Sequence, residues 1–401
     1  MARRQDGGAR RDRPGALDVA SIQKRNTSAG TAYRVRWRDP SGREVSRQFP
    51  TLARARAHKA IVETELLRGS YVDPKRGKVT LGEYATEWLA IQTYGPTTRE
   101  RRELSVRLHI LPTIGRHPLS ALRPPVIQAW LRGLSDHLAP RTVRELFRLL
   151  SSILGAAVED ERITKNPCKS PSLRVPRPDE KPLVPWTPEQ ILALRLALPE
   201  RYRILLTIIT GLGLRQGEAF GLAVDDIDLV REVVTVRRQV AQVGGRLMFA
   251  LPKGRKVRAV PLPGSVAEEL ASYLQLYPPV DVALPSGHPD GRHESARLIV
   301  TSREGKALNR NHVNPYVWKP ALRRAGLPDT REFGFDGGRH FYASLQLESG
   351  VGPRALADYL GHADPAFTLK IYAHLMPEAH GKAQAAVDRL FLHLGGASTS
   401  T

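Results

Sequence analysis

Residues 360–375 read Leu-Gly-His-Ala-Asp-Pro-Ala-Phe-Thr-Leu-Lys-Ile-Tyr-Ala-His-Leu, and this stretch decides how the rest of the chain is interpreted. Gly361 stands where glycine commonly ends a helix, and Pro365 stands where a first helical turn tolerates proline. The stretch therefore predicts a helix, a tight turn and a second helix, with His362 in the turn and Tyr372 on the second helix. A phenol has a pKa of about 10, so Tyr372 can act as a nucleophile only beside cations and a proton acceptor. Without such neighbours it is a core tyrosine.

The composition indicates a polyanionic partner. The chain has 401 residues, enough for two or three domains, and its formal net charge is +21. The basic residues are spread along the chain, which favours a broad surface for nucleic acid over a localisation signal. An anionic membrane is the rival partner, but the longest apolar run, Ile204–Leu214, is too short to span a bilayer. No hydrophobic stretch follows the basic N-terminus, and the single cysteine, Cys168, suits a reducing compartment.

The first 78 residues predict a disordered tail over 1–14 and a small sheet with one helix over 15–74. Thr31–Arg38 alternates apolar and basic residues, Glu44–Phe49 returns as a second strand, and Leu17–Ile22 is a candidate third. A helix is predicted over Leu52–Arg68. One face of the sheet carries Arg34, Arg36 and Arg38. This face is either a solvated surface or a surface laid on DNA.

Residues 79–167 predict a basic domain of four helices. Thr80 with Glu83, and Thr97 with Glu100, have the spacing of capping boxes. The predicted core faces carry Tyr84, Trp88 and Ile91 on the first helix and Leu104, Leu108 and Leu111 on the second. Ala139–Val158 is the longest predicted helix, with Arg141, Arg144 and Arg148 outside its core stripe. Residues 168–185, rich in Pro, Lys and Arg, are expected to form an extended linker.

Residues 186–395 predict an α+β domain. Its expected elements are helices around Ile191–Leu198 and Tyr202–Thr210, a three-stranded sheet from Val233–Val240, Arg246–Leu251 and Val257–Leu262, a loose insert over 278–296, a short strand Arg297–Thr301, helices over Asn309–Arg324 and from Gly337 or Gly338 to Ser349, and a final amphipathic helix Pro377–Leu392.

Five residues of this domain stand at predicted element boundaries or helix starts and together suit phosphoryl transfer: Arg215, Lys253, Arg339, His362 and Tyr372. Two guanidinium groups can bind the non-bridging oxygens of a phosphate and stabilise its transition state. A lysine in a strand-connecting turn can protonate a leaving alkoxide. A tyrosine nucleophile forms a phosphotyrosyl ester, which preserves the bond energy for a second strand to attack.

In this order the motifs resemble the successive boxes of the tyrosine recombinase, or phage integrase, family. The boxes are Leu212-Gly-Leu-Arg215-Gln-Gly-Glu218, Pro252-Lys253-Gly-Arg-Lys-Val-Arg-Ala-Val-Pro261, Arg339-His-Phe-Tyr-Ala-Ser344, and Leu360-Gly-His362 followed by Tyr372. The resemblance covers residues 79 to 392 and extends more weakly to the N-terminal strands. It implies a multidomain, mainly α protein with small antiparallel sheets: an arm-binding-like domain, a helical core-binding domain and an α+β tyrosine recombinase catalytic domain.

The resemblance also implies roles for these residues. Tyr372 would be the nucleophile, Arg215 and Arg339 would bind the scissile phosphate, Lys253 would be the general acid, and His362 would hydrogen-bond the phosphate, while Glu218 would support the site structurally. The family needs no cofactor or metal and acts as a homo-tetramer on two duplex DNA attachment sites, with an accessory directionality factor as a further candidate partner. The implied location is the cytoplasm and nucleoid of a bacterial cell.

One departure concerns the position three residues before the second arginine, where the family usually has His and this chain has Asp336. A carboxylate about 4 Å from a phosphate would cost on the order of 4 kcal/mol at an effective dielectric constant of 20. Either Asp336 points away, onto Arg215 or Arg339, or the enzyme is slow or silent. Asp336→His is therefore expected to speed cleavage. His340 is expected to be a poor substitute, because adjacent helix residues face about 100° apart.

Two other readings compete with a recombinase that integrates or excises a mobile element. One is a catalytically impaired DNA-binding relative that acts as a regulator, which Asp336 alone supports. The other is topoisomerase-like relaxation, against which the arm-like N-terminus argues. His288 and His293 lack the further spaced ligands that a zinc site needs, so no metal site is predicted there.

Overall fold

The computed structural model describes residues 20–27, 30–69, 71–73, 76–178 and 184–372. The predicted disordered tail over 1–14 and the predicted final helix Pro377–Leu392 lie outside these residues. The chain divides into two compact units, one of residues 1–93 and 101–179 and the other of residues 94–100 and 180–401. Within the described part, no helix combines the length and the apolar character that crossing a membrane requires.

The first unit begins with an antiparallel sheet of β1 (Ala20–Thr27), β2 (Gly30–Arg38) and β3 (Glu44–Phe49), in that order. Helix α1 (Leu52–Leu67) begins after Thr51, whose side chain accepts a hydrogen bond from the Arg54 amide. The hydrophobic core between the sheet and α1 joins Val35 and Trp37 of the sheet to Ala55 and Val62 of the helix. The alternation in β2 therefore buries the apolar face against α1 and leaves the arginines on the opposite face.

The next helices along the chain are α2 (Leu81–Ile91), α3 (Pro96–Ser105) with a π-helical turn over Val106–Ile110, α4 (Pro124–Ser135) and α5 (Pro140–Glu159), with short 3-10 turns at Arg76–Lys78, Leu119–Ala121 and Pro167–Lys169. The first residues of α3, up to residue 100, belong to the second unit. The capping box of Thr80 and Glu83 is confirmed. The cap predicted at Thr97 is wrong, because Gly95 precedes the helix and its carbonyl accepts the first amide hydrogen bonds. The predicted core face of α2 is wrong at Ile91, which is 76% exposed.

The core face predicted for the second helix of this unit is also wrong. Leu104 and Leu108 are 43% and 52% exposed, whereas Val106 and Ile110 are buried. The extra residue of the π-helical turn rotates the later side chains relative to a regular helix, which accounts for Leu108 but not for Leu104, because Leu104 precedes the turn. In α5 the predicted stripe is largely buried, with Leu146, Leu149 and Ile153 widening it.

The second unit contains α6 (Pro188–Ala197), α7 (Glu200–Gly211), α8 (Gln216–Phe220), β4 (Ile227–Asp228), β5 (Val233–Val236), β6 (Gln239–Val243), β7 (Arg246–Ala250), β8 (Arg258–Pro261), α9 (Gly264–Leu276), β9 (Val280–Pro285), β10 (His293–Leu298), α10 (Arg310–Val313), a π-helical turn Asn314–Trp318, α11 (Lys319–Arg324), α12 (Phe335–Glu348), α13 (Pro353–Leu360) and α14 (Pro365–Tyr372), with 3-10 turns at Val224–Asp226 and Arg331–Phe333. One hydrophobic core runs through the unit from Trp186 to Tyr372.

Two sheet predictions need correction. The predicted strand Val233–Val240 is interrupted at Arg237 and Arg238, which both turn onto the buried carboxylate of Asp226, at 2.7 and 2.8 Å. As a result the strands form two sheets, β4-β5-β8 and β6-β7, instead of one.

The predicted loose insert over 278–296 and the predicted strand Arg297–Thr301 are instead the antiparallel hairpin of β9 and β10. In this hairpin Val282 is paired with Ala296, and both are buried. The Pro, Gly and His residues concealed this alternation, because they fall mainly in the turn between the two strands.

Candidate active site

Arg215 stands at the start of α8, directly before the first helical residue. Its backbone amide and its guanidinium both donate to the carboxylate of Glu218, at 3.0 and 3.1 Å. The turn that precedes it depends on Gly213, which has a φ of 63°. A Cβ atom there would also lie 2.4 Å from the ring of Tyr342. The Gly-Leu-Arg sequence thus lets the chain pass close to α12 before Arg215.

Glu218 links Arg215 to a second arginine, Arg258, at the start of β8. Arg258 donates to both carboxylate oxygens of Glu218, at 3.0 and 2.6 Å, and through Nε to the carbonyl of Tyr359 at 2.7 Å. Burial by itself would raise the pKa of Glu218, but hydrogen bonds and charge from Arg258 and Arg215 outweigh it and lower the pKa to about 2. Glu218 is therefore an anion that holds two guanidinium groups in place.

Arg339 lies on α12 and is 5% exposed. One terminal nitrogen donates to the carbonyl of Gly213 at 2.7 Å, and the other contacts the Leu360 carbonyl and, at 3.3 Å, Nε2 of His362. Burial and the charge of Arg215 lower the pKa of Arg339, yet a guanidinium remains protonated at neutral pH. Arg339 is thus a cation fixed between the α7–α8 turn and the end of α13.

Gly337 and Gly338, directly before Arg339, have a packing function. A Cβ at Gly337 would lie 2.0 Å from the Glu332 carbonyl and 2.7 Å from Trp186, and a Cβ at Gly338 would lie 2.8 Å from Ile209. The Trp186 indole donates to the Glu332 carbonyl at 2.9 Å. The two glycines therefore let the indole and α7 lie directly against the helix that carries Arg339.

His362 follows Gly361, which ends α13 in the left-handed conformation as the sequence predicts. Its Nδ1 lies 2.7 Å from the hydroxyl of Thr368. Because the Arg339 guanidinium can only donate, it must donate to Nε2, and Nδ1 then carries the proton in this state. Burial, followed by the charges of Arg339 and Arg215, lowers the pKa of His362 to about 4. The imidazole is therefore neutral at pH 7.

Tyr372 is the last described residue of α14. At the start of this helix, the Ala366 amide donates a hydrogen bond to the carboxylate of Asp364. The side chain is 1% exposed, and its hydroxyl lies 2.6 Å from Nδ1 of His340. Burial raises the pKa of Tyr372 to about 12, although Arg339 and Arg215 oppose the shift. The phenol is therefore protonated and in contact with an imidazole.

The structure brings five of the predicted residues into one electrostatic network, in which the charges of Arg339 and Arg215 act on His362 and Tyr372. The hydrogen bonds of this network fall into three groups: Arg215 and Glu218 with Arg258, Arg339 with His362, and Tyr372 with His340. Lys253 is separate from it, exposed in the turn between β7 and β8. Asp336 is also exposed and, within the described part of the chain, makes no ion pair or side-chain hydrogen bond. The expectation that Asp336 would point onto Arg215 or Arg339 is wrong, because Glu218 and backbone carbonyls already occupy those guanidinium groups.

Sequence reasoning missed two residues of the network. Arg258 belongs to one of the quoted motifs, but the sequence assigned it no role. Its role in holding Glu218 follows only from the bidentate contact between them, 40 residues apart in sequence. His340 was considered only as a replacement for the residue at 336. A contact between its ring and Tyr372 depends on how α14 lies against α12, which spacing within α12 cannot predict.

The predicted DNA-contacting arginines lie where the alternation and the helix periodicity place them. Arg34 donates to Ser46 at 2.7 Å, Arg36 pairs with Glu44, and Arg38 donates to the Gly42 carbonyl at 3.0 Å, all on the open face of the first sheet. On α5, Arg141 and Arg148 are exposed and Arg144 is half-buried. No group of three or more potential metal ligands occurs in the described ranges.

Comparison with known proteins places this site in a family. The model of the phage integrase family matches residues 187–379, and that of the phage integrase N-terminal SAM-like domain matches residues 80–135. The chain is 26% identical over 377 residues to a tyrosine recombinase XerC-like protein of Caldanaerobacter subterraneus subsp. tengcongensis, covering 88% of this chain and 94% of that protein. It is also 26% identical over 295 residues to the integrase of Mycobacterium phage FRAT1, covering 73% and 83%.

Two solved structures share the fold. The Tn1549 transposon integrase in complex with a circular intermediate DNA superposes with a TM-score of 0.65 at 20% identity, covering 78% of this chain and 99% of that one. A lambda integrase tetramer bound to a Holliday junction gives a TM-score of 0.54 at 19% identity, covering 88% and 97%.

The fold and the family models define a DNA strand-breaking and rejoining enzyme. The chain belongs to the phage integrase family, the tyrosine recombinases, and its function is site-specific DNA recombination. The predicted family, the multidomain fold with small antiparallel sheets and the enzymatic activity are confirmed. The domain boundaries at 15–74, 79–167 and 186–395, and the roles of individual residues, remain predictions.

Proposed function

We propose that this protein cleaves one DNA strand at a time through Tyr372 and conserves the broken link as a 3′-phosphotyrosyl ester. The observation that carries the proposal is that the phenol lies within the field of Arg339 and Arg215. Arg339 contacts His362, and Arg215 is held by Glu218. A phenol among guanidinium groups that are held by the protein has the composition required for an attack on a phosphodiester.

In the proposed reaction, Arg215 and Arg339 bind the non-bridging oxygens of the scissile phosphate. Tyr372 Oη attacks phosphorus, the bond from phosphorus to the 5′ oxygen breaks, and the 5′ oxygen leaves with a proton. Arg339 is preorganised, because protein carbonyls already hold its guanidinium in place. Preorganised donors need no reorganisation during the reaction, and losing one costs about two to three decades in rate.

Lys253 is the proposed source of the proton for the 5′ oxygen. It lies exposed in the β7–β8 turn, so it would reach the leaving group when DNA occupies the site. His362 is proposed to donate a hydrogen bond to the phosphate from Nε2. This requires the Thr368 hydroxyl to donate to Nδ1 in the complex, because a neutral imidazole has only one N–H group.

The proposed substrates are two duplex DNA attachment sites held by a homo-tetramer. The lambda integrase structure to which the fold is similar is a tetramer bound to a Holliday junction. The arginine face of the first sheet and the exposed arginines of α5 are the proposed contacts to DNA. An accessory directionality factor is a further proposed partner, and the bacterial cytoplasm and nucleoid are the proposed location.

The test is a suicide half-site, a DNA duplex nicked so that the short fragment beyond the cleavage point diffuses away. Wild-type protein is expected to form a covalent protein–DNA adduct in the presence of EDTA, and Tyr372→Phe is expected to form none. Tyr359→Phe, a half-buried tyrosine at the end of α13, is the matched control and should retain the adduct. A wild-type protein that binds the DNA without forming any adduct would support the alternative hypothesis, a catalytically impaired DNA-binding relative that acts as a regulator.

A further inference from the structure

The hydroxyl of Tyr372 has one hydrogen-bond partner within the described part of the chain, and that partner is His340. Nδ1 and Oη are 2.6 Å apart, and the two ring centroids are 5.6 Å apart. His340 directly follows Arg339 on α12, so one helix supplies both a phosphate-binding cation and the group in contact with the phenol. The position from which the family usually supplies a histidine holds Asp336 instead.

We propose that His340 is the proton acceptor for Tyr372 during DNA cleavage, an inference that rests on the function proposed above. As the bond from Oη to phosphorus forms and the bond from phosphorus to the 5′ oxygen breaks, the phenolic proton passes from Oη to Nδ1. A separate acid protonates the 5′ oxygen. In rejoining, the incoming 5′ hydroxyl attacks phosphorus, and protonated His340 returns the proton to Oη as the tyrosine leaves.

The protonation states suit this transfer. Burial lowers the pKa of His340, so its imidazole is neutral at pH 7 and Nδ1 can offer a lone pair to the phenol. Burial raises the pKa of Tyr372 to about 12, so a spontaneous phenolate is too rare to carry the reaction. Contact with a neutral base removes this obstacle, and general base catalysis typically contributes about 100-fold to 10,000-fold in rate.

Asp336 is the proposed positioning residue for this base. It precedes His340 by four residues on α12, so the two side chains lie on the same helical face. Its carboxylate is unpaired within the described residues and raises the pKa of His340 against the effect of burial. Asp336 thus favours the imidazolium that forms in the transition state. On this proposal the carboxylate of Asp336 assists cleavage. Asp336→His is therefore expected to slow cleavage, contrary to the expectation from sequence alone.

The first test compares the rate of adduct formation on the suicide half-site for wild type, His340→Gln and His340→Ala between pH 5 and 9. Both variants are expected to be at least about 100-fold slower at pH 7. Their rates should rise about tenfold per pH unit, because hydroxide then has to remove the proton. Variants as fast as wild type would overturn the proposal, and so would faster ones, which would show that His340 only shields the phenol.

A second test separates proton transfer from a structural role. Tyr372 is replaced by a fluorinated tyrosine whose phenol ionises near neutral pH, in wild type and in His340→Gln. The substitution should restore the rate of His340→Gln by at least about tenfold while changing wild type little. The matched control places the same fluorinated residue at Tyr342, a buried tyrosine of α12. This substitution should not restore the cleavage rate of His340→Gln. Absence of rescue at Tyr372 would show that His340 matters only for the fold.

The third test addresses Asp336 through the pH profile. The charged and titratable groups that act on His340, on the phenol or on the neighbouring imidazole are Asp336, Arg339, Arg331, Arg215, Arg258, His362 and Tyr372. Asp336→Asn removes the carboxylate that raises the pKa of His340. The acid limb of the cleavage profile should therefore move to lower pH, and the plateau should fall several-fold because the base is weaker.

An acid limb that does not move in Asp336→Asn would overturn the part assigned to this residue. A wild-type protein that forms no adduct at all would contradict the proposed function. A wild-type adduct with an unaffected His340→Gln would contradict only the inference about the base.

Discussion

At the scale of single residues, Glu218 determines where the cations of the site lie. Its carboxylate contacts Arg215 and Arg258, and its side chain is fully buried. A buried carboxylate without partners would be neutral, so the two guanidinium groups and the charge on Glu218 depend on one another. The family resemblance implied structural support by Glu218, and the contacts show how it would give that support.

Glu218→Gln is expected to destabilise the protein, because Arg258 would remain buried without its counter-charge. Removal of one partner of a buried pair typically costs about 3–5 kcal/mol. The measurement is the urea midpoint of unfolding at pH 7. Glu269→Gln, which removes the half-exposed partner of Arg195, is the control and should cost less than about 1 kcal/mol.

The pH dependence gives an independent check on the same pair. The folded pKa of Glu218, about 2, lies below its ordinary value of 4.5. Its stabilising contribution is therefore complete above about pH 4.5 and is lost as the pH falls towards 2. The stability difference between wild type and Glu218→Gln should shrink over this range. A constant difference would show that the variant acts through packing alone.

At the scale of elements, α12 is the helix around which the site is assembled. Trp186 and α7 lie against its two glycines, Arg339 extends from it to the α7–α8 turn, and His340 extends to α14. Glycine costs about 1 kcal/mol relative to alanine within a helix. The close contact with the indole, which a Cβ at Gly337 would prevent, offsets this cost.

Gly213→Ala is expected to lower the rate of adduct formation at least about tenfold. The substitution places a Cβ at a φ of 63° and 2.4 Å from Tyr342, so the carbonyl that holds Arg339 and the start of α8 must shift. Gly326→Ala has a comparable φ of 68° but meets no atom within 4 Å. This control should cost stability, about 1–2 kcal/mol, without slowing cleavage. Equal rates of adduct formation in the two variants would contradict the role of the close approach between Gly213 and Tyr342.

At the scale of the whole molecule, the charge of +21 is the dominant property. Arginines on the open face of the first sheet and on α5 are far apart in sequence, and both sets belong to the first unit. Binding to DNA should therefore fall steeply with salt, with a log–log slope of about −0.9 for each phosphate neutralised.

The triple change of Arg34, Arg36 and Arg38 to Ala should reduce the magnitude of this slope by up to about 3. The matched control changes Arg54 and Arg56 of α1 and Arg68, directly after it, to Ala, since these exposed arginines lie on the helix at the opposite side of the sheet or at its end. Fluorescence anisotropy with labelled duplex between 50 and 300 mM salt measures both. A wild-type response that is flat with salt would contradict the nucleic-acid partner, and equal slopes would contradict the arginine face.

The sequence by itself determined the family, the order of the motifs and the local geometry around them. The turn at His362, the second helix with Tyr372 and the capping box at Thr80 depend on neighbours within a few residues, so the local sequence is enough to predict them. The tertiary structure decided that Arg258 binds Glu218, that His340 contacts Tyr372 and that residues 280–298 form a hairpin. The first two contacts join segments 40 and 32 residues apart, and their geometry follows from how helices and strands pack, which no local spacing encodes. The hairpin is local, but the Pro, Gly and His residues in and beside its turn concealed the alternation of its strands.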